Sequence, residues 1–297
     1  MLRYEILAAA AAVTILAGCR NDIDFDACGQ IDAEQVTVSA EASGRILSLN
    51  VREGDVLNAG QMVGAVDSVQ TSLQIRELEQ RRDGARSRLI DIDRQQAPQK
   101  DQLANLENDF RRYSSLLANN AATQKQVDDL RSQIDILKSQ MAAQKQTWER
   151  NNSSVRSEIS TYEIQIAEKR DQLAKCRICS PVAGTVLTKY ANEGESVTVG
   201  KPLFKLADLT ETYVRAYFTT SQLGTLKLGD EMKVIPDDGS ANSKEYTGRV
   251  IWISSQAEFT PKDIQTRDER AELVYAVKVA VPNDGSLRLG MYAYVRK

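Results

Sequence analysis

The chain of 297 residues has no histidine. That absence removes the commonest general base, the Ser-His and Cys-His nucleophile pairs, and most zinc and non-haem iron sites. Cysteine is scarce, at 4 residues. Cys176 and Cys179 make one CxxC, with no second pair to complete a metal set, and their flanks read as a helix end entering a strand rather than the helix start of a redox motif. Small-residue packing is the expected role, and whether Cys28 pairs with either is left open by the sequence. Neither charge dominates: Lys+Arg 38 against Asp+Glu 41 gives a net charge of −3, which argues against nucleic acid or a polybasic membrane surface as the main partner. No catalytic group, cofactor or metal is expected.

Residues 1–19 read as a targeting segment. Arg3 supplies a positive start, and Ile6 to Ala17 form an apolar run short for a bilayer span. The run ends in Leu16-Ala17-Gly18-Cys19, which resembles a bacterial lipobox. Cleavage before Cys19 and acylation there would leave a lipid-anchored protein outside the cytoplasm. Residues 20–29 follow as a polar tether.

From 68 to 175 the chain reads as one long helical hairpin. In the first arm Ile75, Arg82, Leu89, Gln96, Leu103, Phe110 and Leu117 alternate with Leu78, Ala85, Ile92, Gln99, Leu106 and Tyr113 in an unbroken heptad frame. The second arm runs Val127, Leu130, Ile134, Leu137, Met141, Trp148, Val155, then shifts one place to Ile159, Tyr162, Ile166, Leu173. The turn falls at about 117–124, with Thr123 as N-cap and Gln126 completing a capping box. Arms of about 45 residues give a rod of roughly 70 Å. Such a rod has too little core for an enzyme domain; it is a spacer or an assembly surface. Pro98, flanked by seam residues Gln96 and Gln99 and lying opposite the region of Gln144, predicts a kink or break mid-rod. Lys138 falls on the solvent-facing back.

The segments on either side of the rod repeat one another. Gly44, Gly54 and Gly60 answer to Gly184, Gly194 and Gly200, since 184 − 44, 194 − 54 and 200 − 60 all equal 140. Each copy reads strand, Glu-Gly turn, strand, Gly-polar turn, strand. Neither buries its apolar face alone, so the two halves, 40–67 and 176–206, are expected to pack as one small sandwich. The rod is then an insertion whose ends leave from one place.

These half-motifs resemble the halves of a biotinyl/lipoyl domain. Split around a helical hairpin, they resemble the HlyD-type periplasmic adaptors, or membrane fusion proteins; the run Arg177-Ile178-Cys179-Ser180-Pro181-Val182-Ala183-Gly184-Thr185-Val186 is similar to that family's entry into its second half. A carrier domain bears an acceptor lysine on the turn between halves, and Asp67-Ser68 holds none. Adaptors that dock on TolC-type channels carry Arg, then Leu four residues on, then Ser seven further; Arg112, Leu116 and Thr123 fall at those spacings, with Thr replacing Ser and keeping the hydroxyl. The resemblance makes these three the channel-docking tip. The bland reading of the same residues is a solvated charge, a side chain packed beside Leu117, and a helix cap.

From 207 to 297 short alternating strands separated by turn signals suit a small antiparallel β-barrel, which a strand from 30–39 joins. The charged loop Glu258 to Arg270 reads either as solvated or as a transporter contact. The expected fold is therefore α+β: a split biotinyl/lipoyl-like β-sandwich with an inserted long antiparallel α-helical hairpin, followed by the barrel. No membrane-proximal domain is read after the barrel. The resemblance implies a periplasmic adaptor of a tripartite exporter, lipid-anchored to the inner membrane and ringed as a homo-oligomer, a hexamer being expected. It would bridge an inner-membrane transporter, ABC-type favoured over proton-driven, to a TolC-like outer-membrane channel. The alternatives are a biotinyl/lipoyl carrier domain of a transferase complex and a lipoprotein tether with no transport role.

Overall fold

The computed structural model describes residues 25–240, 243–259 and 273–297. Cys19, the targeting segment and most of the charged loop lie outside the described residues.

Between β1 (Ala27–Asp32) and the rod come β2 (Gln35–Ser39), β3 (Gly44–Leu49), β4 (Val56–Leu57) and β5 (Met62–Val66). After the rod come β6 (Arg177–Cys179), β7 (Gly184–Lys189), β8 (Ser196–Val197) and β9 (Pro202–Ala207). They form two four-stranded sheets, ordered β2-β9-β7-β4 and β6-β5-β3-β8, each drawing strands from both halves of the repeat. The halves are swapped into one another, and their hydrogen bonds obey the sequence offset. Gly54 N–H donates to Val186 O at 2.8 Å, and Gly194 N–H donates to Ile46 O at 2.9 Å. Gly60 N–H donates to Ser180 O at 2.7 Å, and Gly200 N–H to Ala40 O at 2.8 Å. In each case adding 140 to one half of a bond, and subtracting it from the other, produces its mate.

The buried residues obey the same rule: Ile46, Val51, Leu57, Val63 and Val66 match Val186, Ala191, Val197, Leu203 and Leu206 in one apolar core. Burying such side chains is worth about 1.5–3 kcal/mol each, and neither half supplies an inside without the other. Turn glycines make the motif possible. Gly54 and Gly194 take φ of 92° and 88°, a region costly for residues with a Cβ. Gly184 serves differently, since a Cβ there would lie 2.7 Å from Ala207 O.

The C-terminal strands are β10 (Glu211–Thr219), β11 (Glu231–Pro236), β12 (Tyr246–Ile253), β13 (Glu258–Phe259), β14 (Leu273–Pro282) and β15 (Tyr292–Arg296). Six strands close as β10-β1-β15-β11-β12-β14, with β14 returning to β10 and β13 added on β14. Alternation along β10 turns Val214, Ala216 and Phe218 inward onto Ile31, Val279 and Val295. The N-terminal strand expected over 30–39 is in fact two strands that part company. β1 begins inside the expected tether and sits between β10 and β15, whereas β2 pairs with β9 of the sandwich. The change falls at Ala33-Glu34, between the strands, where the Asp32 carboxylate accepts from Ala33 N–H at 2.8 Å.

The rod consists of α1 (Val69–Arg86), α2 (Ile92–Ala118) and the 52-residue α3 (Gln124–Lys175). Its feet touch: Val66 N–H donates to Cys176 O at 2.8 Å, one residue past the end of α3. Of the kink or break expected at Pro98, the break falls elsewhere. α2 runs through Pro98, and the first arm is interrupted at 87–91 instead. Because the helix restarts at Ile92, the carbonyl that Pro98 crowds, at Arg94, belongs to the first turn, where no preceding turn confines it. The restart is capped by Asp91, whose carboxylate accepts from Arg94 N–H at 3.2 Å. Lys138 also departs from expectation: it reaches across the arms to Glu107 at 2.8 Å rather than lying on the back.

Candidate docking site at the tip of the rod

The tip is built from backbone hydrogen bonds that the sequence provides for directly. α2 stops because Asn120 adopts φ 58°, a conformation asparagine tolerates better than most residues. This lets Asn120 N–H reach Leu117 O at 2.9 Å and Ala121 N–H reach Leu116 O at 2.9 Å. That pair of bonds satisfies carbonyls the helix end would otherwise leave open. Three residues later Thr123 opens α3. The Gln126 side-chain oxygen accepts from Thr123 N–H at 2.9 Å and from its hydroxyl at 3.1 Å. The turn is therefore held from both sides.

Arg112 and Leu116 are four residues apart and share a face of the last turns of α2. Leu116 is 39% exposed, whereas the neighbouring Leu117 is half-buried in the seam. Arg112 donates to Asp109 at 2.9 Å and lies 5.5 Å from the centroid of the Tyr113 ring. Its guanidinium is thus steadied along its own helix while remaining exposed. Thr123 is exposed on the far side of the turn, with its hydroxyl directed to Gln126. The three residues sit around one end of the rod; Arg112 and Leu116 form a pair, and Thr123 belongs to the next helix.

Below the tip the seam turns polar where the sequence placed Gln96, Gln99 and Gln144. Gln96 is 5% exposed and donates to Met141 O at 2.9 Å. Gln99 donates to Gln144 at 3.0 Å across the arms. One residue escaped the sequence reading. Asn152 of α3 is 4% exposed and faces the interruption in the first arm. Its oxygen accepts from Ile90 N–H at 2.9 Å and its amide donates to Ile90 O at 2.7 Å. An asparagine among seam apolars was the available signal: the position falls three residues before Val155.

At the foot, Cys176 caps α3 and is buried; burial, with Asp67 nearby, pushes its thiol above the usual range. Cys176 and Cys179 carry no disulfide. Among the described residues no group of three or more Cys, Asp or Glu is placed to hold a metal ion. No described helix is long and apolar enough to cross a membrane.

A sandwich of two crossed half-motifs, a rod rising from between them and a closed barrel beyond define the architecture of an adaptor. The chain belongs to the membrane fusion protein family, since a family model described as "RND MFP, barrel-sandwich hybrid domain" matches residues 34–209. A "UPF0194 membrane protein" of Yersinia pseudotuberculosis serotype IB is 28% identical over 100% of this chain and 99% of its own length. A UPF0194 membrane protein of Acidithiobacillus ferridurans is 28% identical over 89% of this chain and 83% of its own. Among solved structures, MacA from Actinobacillus actinomycetemcomitans shares the fold with a TM-score of 0.59 at 20% identity, over 91% of this chain and 76% of that one. The membrane fusion protein Spr0693 from Streptococcus pneumoniae R6 does so with a TM-score of 0.52 at 17% identity, over 91% and 96%.

Proposed function

We propose that this family member is a lipid-anchored periplasmic adaptor of a tripartite exporter, joining an inner-membrane transporter to a TolC-like outer-membrane channel. The observation that carries the reading is the placement of the rod. Its two feet are hydrogen-bonded together at Val66 and Cys176, so it projects as one piece and presents Arg112 and Leu116 at its far end. It performs no bond chemistry; its work is geometry. A single hairpin encloses no duct, so protomers ring together, six being the number we favour.

An ABC-type transporter is our preferred inner-membrane partner, on the strength of the lipid-anchor expectation at Cys19; the RND label of the family model points to the proton-driven class. Co-purification from membranes with each kind of transporter decides between them. For the anchor, Cys19→Ser is expected to accumulate a longer precursor and to abolish labelling by fatty-acid analogues. Labelling at the wild-type level overturns it. For the channel, a photoreactive side chain at position 116 is expected to cross-link to an outer-membrane channel protein. Cross-linking from position 156 instead, with none from 116, removes the docking role of the tip. A carrier reading would require a biotinyl or lipoyl adduct on a lysine, which intact-mass measurement of the protein detects.

A further inference from the structure

The middle of the rod is held differently from its ends. Along α3 the buried apolar residues are Val127, Ile134, Leu137, then Val155, Ile159 and Ile166; between Leu137 and Val155 the one buried side chain is Asn152. Over the same stretch every described contact that crosses the seam through a buried side chain is an amide contact, from Gln96 to Met141 O and from Asn152 to both backbone groups of Ile90. Apolar knobs tolerate a shift of one turn, because the next knob is chemically the same. An amide that must meet both the N–H and the C=O of one residue outside the helix does not.

The two arms also differ in length here. Between the Gln99–Gln144 contact and the Glu79–Arg170 ion pair, the first arm uses 99 − 79 = 20 residues and α3 uses 170 − 144 = 26. Six helical residues span about 9 Å. The chain recovers part of that length where 89–91 leave the helix, as a strand-like residue advances about 3.3 Å against 1.5 Å in a helix. The one-place shift of the heptad frame between Val155 and Ile159 lies beside this interruption. Arg88 and Glu158 form an ion pair across it.

We propose that Asn152 is a register lock: its side-chain amide, seated on the N–H and C=O of Ile90, sets the axial stagger of α2 against α3 and thereby the position of the tip over the sandwich. The lock does not rest on channel docking; only its consequence for export does.

Four cysteine pairs in the full-length protein test it, two at the native register and two at a register one turn away, each joined by a short bis-maleimide and identified by peptide mass. Gln99→Cys with Gln144→Cys reports the outer half of the rod; Glu79→Cys with Arg170→Cys reports the inner half. In Asn152→Leu the outer cross-link is expected to fall roughly tenfold, on the scale of one lost pair of buried hydrogen bonds. A product joining residue 99 to Gln140→Cys or Thr147→Cys is expected to appear, while the inner cross-link stays at its wild-type yield. Retention of both original cross-links overturns the proposal, because the amide is then dispensable. Equal loss of both also overturns it, because Asn152 then merely holds the fold. If the register slips as expected and export nevertheless continues, the lock stands and the docking reading of the tip fails.

Discussion

Replacing Leu116 by aspartate separates docking from folding. Complete burial of a leucine side chain is worth about 1.5–3 kcal/mol. Leu116 is 39% exposed, so covering it by a channel groove would contribute roughly 0.6–1.2 kcal/mol per protomer. Leu116→Asp forfeits that gain and places a carboxylate where it must lose water, a penalty of several kcal/mol. A combined loss above about 3 kcal/mol per contact corresponds to more than about 100-fold in binding. On the folding side the same change removes the already covered share, about 1–2 kcal/mol, and sets a negative charge near a helix C-terminus at about 0.3–1 kcal/mol. That cost falls on the last turn of the rod, far from the sandwich and barrel cores, so it appears as local fraying and shifts global melting little. The assay pairs export with thermal melting and cross-linking to the channel. Lost export with the main melting transition within a few degrees of wild type is the expected outcome. Normal export by Leu116→Asp would refute the argument, because no groove then closes over this side chain.

Joining Asp67 to Cys176 through a short turn, with the rod omitted, is expected to yield a soluble β domain, because the feet are already 2.8 Å apart at Val66 N and Cys176 O; a product with no strand signal in circular dichroism counts against the split sandwich. Gly184→Val forces the backbone away from Ala207 O, which a Cβ would approach to 2.7 Å, and is expected to lower stability by about 1–3 kcal/mol in urea titration. Gly224→Ala, where the nearest atom to an added Cβ lies 3.8 Å away, is its mild comparison. Lys138→Ala removes a half-exposed inter-arm pair with Glu107 and is expected to cost no more than about 1 kcal/mol in the same titration. In the barrel, hydrogen bonds from Lys244, Ser286 and Tyr246 hold the Asp284 carboxyl below the usual range. Since its folded pKa is depressed, the stability it contributes is complete above the ordinary aspartate value of about 3.9 and is lost as pH falls through the depressed one. Asp284→Asn is therefore expected to flatten the acid limb of a melting-temperature profile, and an unchanged limb contradicts it.

The domain plan was legible because a repeat is visible without knowing what it builds. Three glycines at one offset announced a duplicated turn chemistry, and the structure turns that offset into paired hydrogen bonds and a paired core. Barrel strands were legible from two-residue alternation, with Val214, Ala216 and Phe218 inward and Tyr213, Arg215 and Tyr217 outward. The interruption of the first arm was not. Its heptad frame continues through Ala85, Leu89 and Ile92, so apolar spacing alone gave no sign of a gap. The stronger local signal, Pro98, carries its usual cost only in a helix interior, and a helix starting at Ile92 places it near an end. Asp91 and Asn152 carried the information as a cap and a buried amide. Reading them together requires knowing which residues face each other across the rod. The boundary between β1 and β2 is hidden for a related reason: Gln30 to Val38 has strand character throughout, and only the tertiary pairing separates the two strands.

The unequal distribution of buried side chains suggests why the rod is anchored as it is. The sandwich and the barrel each enclose a large apolar core, whereas the separate apolar cluster in the rod comprises Ala85, Val155 and Ile159, with Leu89 and Tyr162 at its edge. That cluster lies between the feet and the amide contacts, directly beneath the interruption. A two-helix rod with so little apolar burial draws much of its order from its fixed ends. At the base those ends are tied by the sheet pairing of β5 with β6 and by the Val66–Cys176 bond; at the tip they are tied by the Asn120 turn and the Thr123 cap. Between them, Gln96 and Asn152 supply specificity of position more than cohesion. The crossed sandwich thus does more than carry the rod. By making each half necessary to the other, it couples the integrity of the base to the closure of the rod, because the β5–β6 pairing that joins the two halves also holds the feet of the two arms together.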